Sequence, residues 1–281
     1  MTPQSRERVA FWILRACLGL VLLPVIFIVA YMLIKGLPGM TWEFLTSAPR
    51  NGMRAGGIFP AIIGTLCLIV STIAVALPLG VMAAIYLNEY ARPSRWTRFI
   101  RLAIVNLAGV PSVVYGLFGL GFFVIFLRFG TSIAAGALTL AIMSLPVIIT
   151  ASEEALRSVP QSFREVAYSL GATRWQAVRT TVLPYALPGI LTGAILGLSR
   201  AAGETAPILF TVAAFYLPRL PRSIFDQAMA LPYHLYVIST QIPNIPLVQR
   251  YGTALVLLML VLSLNMLAIV LRVHFRRKRQ W

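Results

Sequence analysis

Acidic and metal-binding residues are scarce in this sequence. Only eight of its 281 residues are Asp or Glu, against 24 Lys and Arg, and it has two cysteines and two histidines. Cys17 and Cys67 lie far apart in apolar runs, and His234 and His274 are isolated, so no disulfide framework or metal site is indicated. The glycine-rich loop that binds the phosphates of ATP is also missing. We therefore expect no metal and no nucleotide cofactor on this chain, and no nucleophile–base pair suggests an enzyme.

Charged residues of either sign are few, which excludes an ordinary soluble domain. They make up 11% of the chain, against about a quarter in soluble domains. Hydrophobic residues make up 59%, and the mean hydropathy is +0.84. A net charge of +16 would suggest nucleic-acid binding in a soluble protein. Here the tendency of membrane proteins to keep basic residues on the cytoplasmic side explains it better, so we expect a lipid bilayer and no nucleic acid as partner.

Six apolar runs predict an all-α integral membrane protein with six transmembrane helices in a single domain, 1–281. About 20 residues suffice to cross the hydrocarbon core, so the second run should tilt or project from the membrane, and the fifth must be tilted, broken or extended. The predicted helices cover about residues 16–34, 58–87, 102–127, 132–150, 182–217 and 252–271.

The distribution of basic residues predicts the orientation. Six spans place both termini on one side, together with the loop after residue 90 and the loop 160–184. These segments, together with Arg157 just before residue 160, hold sixteen of the Lys and Arg residues, and the opposite side holds seven. The excess predicts that both termini are cytoplasmic.

The stretch 160–184 is the longest polar interruption of the chain and predicts two short helices around a bend. Ser162 has the spacing of a helix cap, with Glu165 three residues later. Gly171 suits the left-handed turn that ends a helix, and Thr173 is a second candidate cap.

An arginine and a glutamate lie within the fifth run, where charge is costly. Gly189, Gly193 and Gly197 repeat every four residues and predict close packing against another helix. Arg200 and Glu204 are one helical turn apart, near the midpoint of the run, and continue this row. They form either a structural ion pair or a site on an anion pathway. The planar guanidinium suits phosphate or sulfate, since it donates two parallel hydrogen bonds to one oxyanion.

The loop 160–184 resembles the "EAA" coupling loop of ABC importer membrane subunits. In that family the loop forms a cytoplasmic helix that docks on an ATPase subunit. The matching residues are Glu165, Ala167, Gly171, Leu183 and Pro184; Val166 and Thr181 depart from the usual pattern. The resemblance implies that ATP is bound and hydrolysed on partner chains.

The segment from Arg200 to Pro207, RAAGETAP, resembles the PstA-type permeases of phosphate ABC importers. Segments 85–90, 111–117 and 229–232 agree with this. The resemblance implies a type I importer transmembrane fold in a bacterial or archaeal inner membrane, with inorganic phosphate as substrate. It also implies a second homologous permease (PstC-like), two ATPase subunits (PstB-like) and an extracytoplasmic phosphate-binding protein (PstS-like). Thr205 joins the expected pathway, as does Thr150, which stands where some members have an arginine.

Two alternatives remain open. One is a permease for another oxyanion, sulfate or molybdate. The other is a stand-alone channel or ion-coupled transporter, in which Arg200 and Glu204 would form a gate or relay. The EAA-like loop favours the ABC importer, because a secondary transporter does not need an ATPase-docking helix.

Overall fold

Long apolar helices dominate the chain. The computed structural model describes residues 3–277. Its α-helices are α1 Pro3–Gly36, α2 Trp42–Thr46, α3 Phe59–Ile85, α4 Arg95–Ala108, α5 Ser112–Gly119, α6 Ile133–Arg157, α7 Gln161–Ser169, α8 Arg174–Ala177, α9 Leu183–Gly203, α10 Ala206–Thr211, α11 Leu231–Thr240 and α12 Leu247–Arg277. Three π-helical turns continue α3, α5 and α8, at Tyr86–Tyr90, Leu120–Phe126 and Val178–Val182. The strands β1, Pro49–Arg50, and β2, Ala55–Gly56, form a small antiparallel hairpin.

Five helical segments are long and apolar enough to cross a membrane. They are Ala10–Gly39, Phe59–Tyr90, Ile133–Arg157, Arg174–Gly203 and Leu247–His274. A sixth span results if the bent pair Arg95–Ala108 and Ser112–Phe126 counts as one. The expected all-α membrane architecture is therefore confirmed.

The third predicted helix, 102–127, is not continuous. The chain bends by 102° between α4 and α5. Proline at position 111 lacks a backbone N–H and disfavours helical backbone in the residue before it, so α4 ends at Ala108 and Gly109 caps it. A second helix then starts at Ser112, directly after Pro111.

The fifth predicted helix, 182–217, is broken near its middle. Helix α9 ends at Gly203, Glu204 is extended with φ −73° and ψ 134°, and α10 covers only Ala206–Thr211. Pro207 explains the break, because an unbroken helix would need the N–H that proline lacks. At the other end, α9 is continuous with α8 through Val178–Val182, so one helix leads from the polar loop into the membrane.

Other predicted boundaries were too short. Helix α6 continues to Arg157, two turns beyond residue 150, and both α1 and α12 extend past their apolar runs. Helices do not stop where the hydrocarbon stops; they stop where a cap or a proline ends them. The N–H of Ala135 bonds the Ser132 hydroxyl at the start of α6, and Pro160 follows its end.

Helix α6 lies at the centre of the molecule. It packs against α3 on one side and α9 on the other, and Leu140, Met143 and Leu156 are fully buried along it. In contrast, α1 and α12 pack against each other and expose apolar side chains such as Leu20 and Phe27. Such faces suit contact with lipid.

The segment between α10 and α12 folds back onto α3. It contains a short helix, α11, outside the six predicted helices. The backbone N–H of Leu231 donates to the Thr65 hydroxyl at 2.8 Å. Gly64 permits this contact, because a Cβ atom there would collide with the Met229 carbonyl.

Candidate functional site

Arg200 and Glu204 meet at the break between α9 and α10. The Arg200 Nε lies 3.4 Å from Glu204 Oε1, and the side chains are 36% and 18% exposed. Arg200 occupies the last turn of α9, so the run is broken just beyond its midpoint and Arg200 lies at a helix end. This position favours the cation, since helix C-termini carry partial negative charge. The side chain of Arg200 is half-buried.

The glycine row of α9 packs against α6, as the spacing predicted. A Cβ atom on Gly189 would lie 2.5 Å from the Ala155 Cβ, and one on Gly193 would lie 2.5 Å from the Ala151 Cβ. Gly197 makes a similar approach to Ile148. Substitution would therefore push α9 away from α6 and displace Arg200, one turn beyond the row.

Two further helices border the break. Pro207 in α10 packs closely against Gly116 of α5: a Cβ atom added to Gly116 would lie 2.9 Å from the Cα of Pro207. The Ser199 hydroxyl, next to Arg200, bonds the side-chain oxygen of Asn265 in α12. Thr205 is half-buried before α10, and its side chain does not cap that helix. The expected pathway residues Arg200, Glu204 and Thr205 thus lie together.

Thr150 forms its hydrogen bond away from Arg200, Glu204 and Thr205. Its hydroxyl bonds the Pro146 carbonyl of its own helix, one turn earlier. Within residues 3–277, no hydrogen bond joins Thr150 to Arg200 or Glu204. The side chain is exposed and borders a cavity of about 340 Å³ with Arg101, Glu153 and Arg157.

The loop 160–184 forms the expected two helices, α7 and α8, around a bend. Gly171 has φ +82°, and no atom lies within 4 Å of a Cβ built there, so backbone conformation alone demands glycine. Thr173 caps α8 in a full capping box with Gln176. The predicted Ser162 cap was wrong: Pro160 holds the N-cap position of α7, without a side-chain cap.

One face of this loop is apolar and exposed. Val166, Leu170 and Trp175 are 60%, 83% and 52% exposed, and Glu165 is exposed beside them. Ala167 lies on the buried face of α7. Leu183 and Pro184 are half-buried at the start of α9, directly after the π-helical turn Val178–Val182.

The sequence reasoning missed two arginine–glutamate clusters at the other end of α6. Arg164 of α7 pairs with Glu89 at 2.7 Å, and both side chains are buried. Glu153 accepts from Arg101 and Arg157, both at 2.9 Å. The signal available was the scarcity of acidic residues, because an isolated acid in an apolar chain calls for a cationic partner.

Asp226 and His234, in the segment between α10 and α12, both have lowered pKa values. Backbone N–H groups of Arg222 and Ser223 donate to Asp226 and lower the pKa of its carboxyl group. Burial lowers the pKa of His234 to about 4, so it is neutral near pH 7. Among residues 3–277, no group of three or more His, Cys, Asp or Glu is placed to hold a metal ion.

Comparison with known sequences identifies related transport proteins. The model of the family described as "Binding-protein-dependent transport system inner membrane component" matches residues 76–281. The chain is 33% identical to "Probable ABC transporter permease protein YqgI" of Bacillus subtilis, over 95% of both chains. It is 34% identical to "Phosphate transport system permease protein PstA 1" of Mycobacterium tuberculosis, over 92% of this chain and 85% of that one.

Comparison with solved structures supports the same architecture. A bacterial ABC transporter involved in the import of the acidic polysaccharide alginate superimposes with a TM-score of 0.69. The match covers 99% of this chain and 100% of that one at 15% identity, so it concerns the fold alone.

Proposed function

We propose that this chain, which belongs to the family of binding-protein-dependent transport system inner membrane components, forms half of the translocation pathway of an ATP-driven phosphate importer. The chain is a multi-pass permease subunit of an ABC transporter. The observation that carries the phosphate assignment is Arg200, held half-buried at a helix break within RAAGETAP. The phosphate permeases among its relatives favour the same substrate.

Arg200 lowers the barrier to anion passage in this proposal. Phosphate carries one or two negative charges, and its transfer from water into a region of low dielectric is costly without a cation. The planar guanidinium donates two parallel bonds to such an oxyanion. Glu204, 3.4 Å from Arg200, competes for the same guanidinium. This competition keeps anion binding weak enough for release, and Thr205 and Thr150 supply hydroxyl groups along the path.

Energy reaches the pathway through the coupling loop, 160–184. The exposed face of Glu165, Val166, Leu170 and Trp175 docks on an ATPase subunit, with Gly171 setting the bend. ATP is hydrolysed on the two ATPase subunits, and this chain performs no covalent chemistry. The continuous helix Arg174–Gly203 leads from the loop to Arg200 without interruption.

The remaining partners follow from the same proposal. A second permease completes the pathway, and an extracytoplasmic binding protein delivers phosphate. Both termini and the coupling loop face the cytoplasm of a bacterial or archaeal cell, as the excess of basic residues on that side favours.

Uptake of labelled phosphate tests this function in cells from which only this gene has been deleted. We expect the wild-type gene to restore uptake, excess sulfate and molybdate to compete poorly, and Arg200→Gln to fail while present in the membrane. Restored uptake of sulfate or molybdate in place of phosphate would favour the other oxyanion permeases. Uptake that continues after ATP depletion would favour a channel or ion-coupled transporter.

A further inference from the structure

The turn Tyr86–Tyr90, which ends α3, receives arginine side chains from three other helices. Arg101 of α4 donates to the Leu87 carbonyl at 2.9 Å. Arg164 of α7 pairs with Glu89, and the guanidinium of Arg174 in α8 lies 5.4 Å from the centre of the Tyr90 ring. Both halves of the coupling loop therefore contact this one turn.

The contact between Arg164 and Glu89 is the most highly constrained of the three. Arg164 Nη2 donates to Glu89 Oε1 at 2.7 Å, and its Nε donates to Oε2 at 3.2 Å. The same guanidinium donates to the carbonyls of Val159 at 2.8 Å and Leu156 at 3.0 Å, at the end of α6. Asn88 adds a bond to Glu89 Oε1 at 2.7 Å. One side chain thus joins α7, α6 and the end of α3.

Stability alone is a poor reason for such an arrangement. Glu89 and Arg164 are 8% and 7% exposed, and a buried ion pair often stabilises a protein no more than apolar side chains of similar volume would. A planar guanidinium with four directed bonds does fix one orientation of α7. The outer face of α7 is exposed, and its other inward contacts include Ala167, the ring of Phe163 against Tyr185 of α9, and the turn Val178–Val182.

Apart from its backbone link to α6 through residues 158–160, the coupling loop is joined to α9 and to α3 in two different ways. The route to α9 is continuous backbone through Val178–Val182. The route to α3 is made of side chains, with Arg164 at its centre. Because α3 packs along both α6 and α9, the two routes act on helices that border each other.

We propose that Arg164 is a positioning residue that couples α7 to α3 through Glu89, so that movement of the coupling loop displaces α3 together with α9. This rests on the proposed function in one respect, that an ATPase subunit docks on α7. When the Arg164–Glu89 pair is lost, α9 still moves with the coupling loop but α3 does not. ATP is then hydrolysed without full opening of the pathway.

The first test measures phosphate transported per ATP hydrolysed by the complex in proteoliposomes. We expect Arg164→Gln and Glu89→Gln each to lower this ratio about tenfold, with ATP hydrolysis and co-purification of the ATPase retained. Arg164→Lys should retain part of the ratio, since it keeps the charge and loses the planar fork. Arg98→Gln removes an exposed arginine of α4 and serves as the control. An unchanged ratio in both Arg164→Gln and Glu89→Gln would overturn the proposal.

The second test does not depend on the substrate. Spin labels at Ser169→Cys and Arg92→Cys, in a complex without Cys17 and Cys67, report the distance between the end of α7 and the chain just after the turn. We expect a narrow distribution that broadens with Arg164→Gln, or with Arg164→Lys should the first variant not assemble. An unchanged distribution would show that α7 is held by its other contacts and would refute the role of Arg164. A complex that moves sulfate would overturn the phosphate proposal, and this measurement would still decide the coupling route.

Discussion

Arg200→Gln distinguishes a pathway arginine from a structural ion pair by the size of its effect. Arg200 and Glu204 are 36% and 18% exposed and 3.4 Å apart. A partly exposed pair whose atoms approach only to 3.4 Å contributes on the order of 1 kcal/mol to stability. A phosphate charge about 4 Å from the guanidinium would gain about 4 kcal/mol at an effective dielectric constant of about 20. That energy corresponds to roughly a thousandfold change in rate.

The pathway role therefore predicts a large loss of transport with a small loss of stability. We expect Arg200→Gln to nearly abolish phosphate uptake, because Glu204 then repels the anion. Arg200→Lys should retain part of the activity, and Glu204→Gln should slow turnover more than entry. The assay is initial uptake in proteoliposomes beside the thermal unfolding of each complex, with exposed Arg98→Gln as a charge-matched control. Recovery of uptake in the double variant Arg200→Gln/Glu204→Gln would refute this reasoning and leave the pair as a packing device.

Three other predictions test orientation, coupling and packing. In a background without native cysteines, Ser223→Cys should react with an impermeant maleimide from outside intact cells and Ser158→Cys should not; labelling of Ser158→Cys would overturn the orientation. Gly171→Val should insert normally, because no neighbouring atom would collide with its side chain, but it should lose ATP-driven uptake, because a side chain at φ +82° costs about 1 kcal/mol or more and disturbs the bend. Wild-type uptake in this variant would show that Gly171 has no role in coupling. Gly64→Ala should lower the unfolding temperature of the complex because its Cβ would collide with the Met229 carbonyl, whereas Gly19→Ala, in open space, should not; equal temperatures would contradict the packing of this segment on α3.

Local rules predicted much of the coupling loop and of the glycine row. Gly171 and Thr173 have the predicted conformations because a left-handed turn and a capping box depend on a few neighbouring residues. Gly189 and Gly193 pack as expected because a four-residue spacing places them on one helix face. The same rules misplaced Ser162, since Pro160 two residues earlier already ends the extended chain and starts α7.

Hydropathy did not locate the helix breaks, and spacing did not find the buried ion pair. The sequence remains apolar across Pro111 and Pro207, so hydropathy shows no boundary there. The helix is nevertheless divided at both positions, because proline lacks the backbone N–H that a continuous helix needs. Glu89 and Arg164 are 75 residues apart, so only the packing of α3, α6 and α7 brings them together. For Arg200, by contrast, spacing did predict the partner Glu204, and only its place at a helix end was not predicted.

The most direct test of the central claim is transport by the purified complex. The tagged chain, extracted in mild detergent with the chains that accompany it, is reconstituted in proteoliposomes with its binding protein and supplied with ATP on the side of the ATPase subunits. The account predicts ATP-dependent accumulation of labelled phosphate, in excess of sulfate and molybdate, that is lost in Arg200→Gln. Accumulation of another anion in preference to phosphate, or phosphate movement without ATP hydrolysis, would contradict it.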